Sequence, residues 1–229
     1  MNENTGTSLP SLPVRLVKVF FSPGELFAAL REKPVWFGAL AVVAALVAVS
    51  MALVPAEVWE QMIREQAMEQ AARTGREIPE GFGAGTSLFR FFSILGPLIT
   101  TFIWAFLLAG IVTFVFAFIF GDDGKYSQYL SVVSHAMVIG AVGALLTVPL
   151  KIAQQDISLT LSVGTFFYSM GDGYLHRVLN MLDLFQLWAY GVMAIGVTKI
   201  DSQRSLGFAL SFFGAFALVF ALIFGLFQV

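Results

Sequence analysis

The chain is predicted to be an all-α integral membrane protein, a five-helix transmembrane bundle preceded by short amphipathic amino-terminal helices. Three observations predict it. Of the 229 residues, 58% are hydrophobic and only 12% are charged, whereas a soluble domain carries about 25% charge. Twenty-four of the residues are Phe, more than one soluble core of this size can hide. Five apolar runs approach the roughly 20 helical residues that a bilayer core about 30 Å thick requires. A water-soluble enzyme is thereby excluded. The net charge of −2 offers no general attraction for nucleic acid. The absence of cysteine excludes disulfides, thiolate metal sites and thiol nucleophiles.

Residues 1–34 read as a cytoplasmic tail. In it, Leu12–Phe21 sets Arg15 and Lys18 among Leu, Val and Phe. A second helix is signalled by Ser22, Pro23 and Glu25, which suit its cap, its first position and its capping box. Leu26, Phe27 and Leu30 then share one face. Both pieces are expected to lie on the membrane surface, with a docking surface for a partner protein as the other reading.

Residues 35–229 form the membrane domain, with spans at about 35–53, 91–120, 129–150, 179–197 and 206–227. The loop Val54–Ser87 is the one sizeable polar segment. Its helix runs to about Arg73, where Glu60 with Arg64 and Glu69 with Arg73 are favourable i,i+4 pairs. Gly75, Pro79, Gly81, Gly83 and Gly85 then break it. Between the third and fourth spans, Ile157–Val163 alternates apolar and polar residues. This segment is too short to span and too apolar for water, so an interfacial or re-entrant course is expected. Gly171, Asp172 and Gly173 turn the chain into the fourth span. Small residues four apart (Ala136, Gly140 and Ala144; Gly207, Ser211 and Ala215) mark close helix contacts.

Orientation follows basic residues in short loops. Four of them, Arg15, Lys18, Arg31 and Lys33, lie close ahead of the first span. That places the amino terminus in the cytoplasm and, after five spans, the carboxyl terminus on the opposite side.

Ionisable residues inside a bilayer are the default place to look for function. His135 and Asp183 stand out, but the span boundaries separate them by about 15 Å in depth, too far to pair. Asp183 is instead expected to join Arg90, Lys151 and His176 in a polar cluster near one surface. A charge-paired clasp and a small aqueous vestibule are its two readings. His135 is isolated, expected to bond a backbone carbonyl or a nearby hydroxyl. Two histidines 41 positions apart give no metal-ligand spacing, and no phosphate-binding loop is present. No catalytic, cofactor-binding or metal-binding residue is predicted, and no cofactor.

Val19 to Phe27 (Val-Phe-Phe-Ser-Pro-Gly-Glu-Leu-Phe), followed by Pro34 opening the first span, resembles the entry of bacterial members of the YIP family, the Ypt/Rab-interacting membrane proteins. Asp183 to Trp188 (Asp-Leu-Phe-Gln-Leu-Trp) and Gly191 to Val197 (Gly-Val-Met-Ala-Ile-Gly-Val) resemble the fourth-span pattern of the same group. The resemblance covers about residues 12–227 and implies the five-span fold. Eukaryotic members are scaffolds that engage prenylated small GTPases. This chain departs from them in its short tail and in lacking an Asp-Leu-Tyr-Gly-Pro element. The expectation is a non-enzymatic scaffold or assembly factor of a bacterial inner membrane, partnered by the lipid bilayer and by another membrane protein or further copies of itself. The alternative is a small transporter, channel or lipid-handling protein using a polar site near Asp183.

Overall fold

The structure, a computed structural model, describes residues 9–75, 86–171, 173–201 and 203–227. Pro79, Gly81, Gly83, Gly85 and Asp172, assigned above to turns, lie outside the described residues. The order is α1 (Leu12–Phe21), α2 (Pro23–Glu32), α3 (Phe37–Ala52), α4 (Ala56–Thr74) and α5 (Thr86–Thr113), whose last turn Phe114–Ile119 widens to a π-helix. There follow α6 (Tyr126–Leu146), α7 (Val148–Gln154), a 3-10 segment Val163–Met170, α8 (Tyr174–Asn180), α9 (Leu184–Ile200) and α10 (Leu206–Phe224). Among the described residues the extended chain amounts to one antiparallel bridge between Ser162 and Asp183.

An all-α membrane fold is what this arrangement is. Three helical stretches, Arg90–Ile119, Tyr126–Gln154 and Leu206–Phe224, are long and apolar enough to cross a membrane. The other two expected spans are apolar but short: α3 has 16 residues and α9 has 17. The chain turns by 83° from α3 into α4, so the bent pair counts as a fourth candidate span if taken together. Leu98, Ile99, Ile103 and Leu107 of α5 and Leu210, Leu218 and Ile223 of α10 are exposed. In a membrane protein such residues face lipid tails.

The centre is α6, packed against α3, α5, α9 and α1 and buried almost continuously from Tyr129 to Ala136. Two glycines let α9 approach it. A Cβ on Gly143 would enter the Phe185 ring, and one on Gly196 would enter Val132. One end of the bundle gathers α2 and the loops 121–125 and 201–205: Gln128 Nε2 donates to the Arg31 carbonyl at 2.8 Å, and Gly24 lies against Lys199. The other end holds α4, α8 and the last turn of α10. There Tyr174 Oη donates to the Leu222 carbonyl at 2.7 Å, and Val54, Val58, Trp59 and Ile157 form a small second core.

Three local expectations differ from the structure. The amino-terminal helices do not rest apart on a surface: Val19, Leu26, Phe27 and Leu30 are fully buried against the bundle. Phe20 meets Trp188, in the second turn of α9, edge-on at 5.5 Å, so α1 lies along the flank. The fourth apolar helix begins at Leu184 rather than Leu179, because α8 ends at Asn180 and Asp183 caps a new helix. Gly207, Ser211 and Ala215 all face outward, and no described helix packs on that stripe. Hydropathy registers apolar length but not which side of a helix its neighbours occupy.

Candidate functional site

Asp183 sits at the amino end of α9 in an extended conformation, and its Oδ1 accepts the Gln186 N–H at 2.8 Å. Its neighbours are locked by backbone pairing: the Val163 N–H donates to Leu182 and the Leu184 N–H to Leu161, each at 2.9 Å. A capping carboxylate stabilises the first turn, whose N–H groups lack helical partners. Lys151, 7% exposed, lies within electrostatic reach of both Asp183 and Asp156. No ion pair closer than 4 Å forms there among the described residues.

The rest of the expected cluster is elsewhere. Arg90 turns to the α3–α4 corner and donates through Nη2 to the carbonyls of Ala52 and Val54, at 3.4 and 3.3 Å. The Ala52 carbonyl ends α3 and that of Val54 follows it, a helix terminus where cations are favoured. His176 sits on α8 with Nδ1 buried and unpartnered. Lys151 thus comes within electrostatic reach of Asp183, while among the described residues no hydrogen bond or ion pair joins Arg90 or His176 to that pair. His135 is fully buried on α6, its Nδ1 bonded to the Ser131 carbonyl at 2.8 Å.

A second cluster, at the other end, escaped the sequence reading. Asp122 follows the π-turn, and its side chain is entirely buried. Arg204 Nε donates to its Oδ1 at 3.2 Å, and Tyr129 Oη donates to its Oδ2 at 3.5 Å. The Arg204 Nη2 also donates to the Phe120 carbonyl, and its guanidinium lies 5.3 Å from the Phe120 ring and 5.7 Å from that of Phe208. A second carboxyl, that of Asp201, lies within electrostatic reach of Asp122. Burial first, then the Asp201 carboxyl, push Asp122 up to about 6 against the opposing pull of Arg204. Interaction with Asp122 holds Asp201 below the ordinary carboxylate range. The cluster ties the end of α5 to the α9–α10 turn and can take up or release one proton. Its signal in the sequence was opposite charges in two short loops, Asp122 and Arg204.

Both clusters fall inside a stretch shared with known proteins. A family model described as the Yip1 domain matches residues 17–225. The chain belongs to the Yip1 family. The match begins within α1 and ends just past α10, so it takes in all the apolar helices, Asp122 and Asp183. Among relatives, this Yip1-family chain is similar to membrane protein YknW of Bacillus subtilis (strain 168), 26% identical over 201 residues, which are 86% of this chain and 81% of that one. No solved structure matches significantly. The likeness at Val19–Phe27 and Asp183–Val197 was thus a family signal, and the chain is a Yip1-family membrane protein.

Proposed function

We propose that this Yip1-family protein is a non-catalytic scaffold or assembly factor of a bacterial inner membrane, with five spans, a cytoplasmic amino terminus and a carboxyl terminus on the opposite side. One observation carries the reading. The two polar clusters sit at opposite ends of the bundle, and between them α6 and α9 meet through Val132, Gly143, Phe185 and Gly196. A transport path needs polar groups at successive depths, and these contacts are apolar, with Gln186 Oε1 against Gly140 the one polar group that the α6–α9 glycine contacts bring into the seam. The end that holds α2 and the loops 121–125 and 201–205 carries Lys18, Arg31, Lys33, Lys125, Lys199 and Arg204, as the cytoplasmic side of a membrane protein does.

The second reading, transport or lipid handling near Asp183, is favoured by the buried Lys151, which has no close counter-ion among the described residues. Native purification in mild detergent, with mass spectrometry of what accompanies the chain, separates the two. A scaffold is expected to bring a defined membrane-protein partner in fixed ratio. Recovery without any protein partner, together with solute flux in proteoliposomes that Asp183→Asn abolishes, would overturn the scaffold reading.

A further inference from the structure

The 83° bend from α3 into α4 turns a charged helix across the end of an apolar one. Glu57, Glu60, Arg64, Glu65, Glu69 and Arg73 all lie on α4, and residues of that kind stay at the level of water and lipid headgroups. Where α4 meets α5 a groove of about 320 Å³ opens, at the lower end of the range for small-molecule sites. Ala56 and Glu60 come to it from α4, and Ser87, Arg90, Phe91 and Ile94 from α5. The lining thus offers one cation, one carboxylate and one hydroxyl on an otherwise apolar wall.

The two charges share the groove without meeting. Arg90 gives Nη2 to the Ala52 and Val54 carbonyls, at 3.4 and 3.3 Å, and its Nε is enclosed with no hydrogen-bond partner. No described carboxylate lies within 4 Å of its side-chain nitrogens, and Glu60, exposed on α4, forms no ion pair with a described residue. Ser87 and Arg90 stand near the start of α5, the end of a helix that favours an anion. Phe91, Leu95 and Leu98 are 53%, 38% and 40% exposed. With Ile94 they carry the apolar wall of the groove along α5 into the span Arg90–Ile119.

We propose that the α4–α5 groove binds a phospholipid whose headgroup carries both a phosphate and a primary ammonium, as phosphatidylethanolamine does. The phosphate oxygens accept from the Arg90 guanidinium, whose Nε and Nη1 the two carbonyls leave free, and from the Ser87 hydroxyl. The ammonium donates to the Glu60 carboxylate. The groove holds the headgroup and glycerol, and the acyl chains run down Phe91, Leu95 and Leu98 into the bilayer. An anionic phospholipid without the ammonium meets the Glu60 charge instead, so the pair sets a preference as well as an affinity. The site stands whether the chain scaffolds or transports, because it lies apart from both polar clusters.

The test uses the full chain in mild detergent, melted with dioleoyl phosphatidylethanolamine, with dioleoyl phosphatidylglycerol, or with water-soluble glycerophosphoethanolamine. Phosphatidylethanolamine is expected to raise the wild-type midpoint more than phosphatidylglycerol does. Arg90→Gln should weaken its binding about tenfold, the worth of one hydrogen bond to a charged group. Glu60→Gln should keep the lipid-free midpoint and erase the preference between the two lipids. Glu69→Gln, the same change farther along α4, should leave that preference intact. Glu60 is exposed, so its variant carries the test if Arg90→Gln fails to fold. Equal protection of the wild type by the two lipids, protection by neither, or an unaltered preference in Glu60→Gln would overturn the proposal. So would an equal loss of preference in Glu69→Gln, which would make the effect one of overall charge. Full protection by glycerophosphoethanolamine would overturn it as well, since the occupant would then need no acyl chains.

Discussion

Asp183 accepts a 2.8 Å hydrogen bond from Gln186, and that bond replaces one the first turn of α9 cannot make for itself. Asn caps helices about as well as Asp, whereas an apolar residue forfeits about 1 kcal/mol. Asp183→Asn is therefore expected to keep the melting midpoint in detergent within a degree or two of wild type, and Asp183→Leu to lower it measurably. At the other end, Asp122 provides a pH dependence whose sign is fixed. Its folded-state value near 6 lies above the ordinary 3.8, so in that window the folded chain holds a proton that the unfolded chain has released. The stabilisation is complete below about 4 and is lost as pH rises through 6. Asp201, shifted the other way, loses its contribution only at acid pH. Melting the protein at pH 5, 6 and 7 should show wild type losing stability relative to Asp122→Asn as the pH rises. Parallel curves for the two would remove Asp122 as the proton site.

Helices in this bundle meet by close approach rather than by charge. At Gly196 an added Cβ would stand 2.9 Å from Val132 Cγ2 and 3.1 Å from Phe27 Cδ2. At Gly214, in the middle of α10, an added Cβ meets nothing within 4 Å. Gly196→Ala is expected to cost about 1–3 kcal/mol through overpacking. Gly214→Ala should gain about 0.5–1 kcal/mol, because alanine loses less backbone entropy in a helix. Denaturation from detergent micelles checks both, and a stable Gly196→Ala would refute the α6–α9 contact. Both glycines lie in apolar runs that look alike in the sequence. Neither stands in the small-residue stripes that the spacing singled out, and the difference between them was decided by where α2 and α6 lie against α9.

For the molecule as a whole, the opposed ends lead to a topological prediction. Alkaline phosphatase fused after Val229 is expected to be active, and a green fluorescent protein fused there to be dark. The reverse pair of signals would place both termini on one side and remove the five-span arrangement. The hydropathy runs made the apolar helices legible, because a bilayer demands length and the absence of charge, and both are local properties. Residues near Asp183 were located well enough that Lys151 could be named beside it. Arg90 could not be placed, because a long side chain at a helix end can reach either a carboxylate or the nearest free carbonyls. The link between Asp122 and Arg204 spans 82 positions and has no periodicity to betray it.

Composition, run length and the capping residues by themselves determined that this chain is a helical membrane protein, and short patterns such as Val19–Phe27 pointed to its family. Those features act through transfer from water and through local backbone bonding, so they survive in one dimension. Only the tertiary structure decided that α1 lies along the flank, that Asp183 caps the start of a helix rather than interrupting one, and that Asp122 meets Arg204. Each of these depends on contacts between segments far apart in the chain, whose energy comes from shape and from the satisfaction of buried polar atoms.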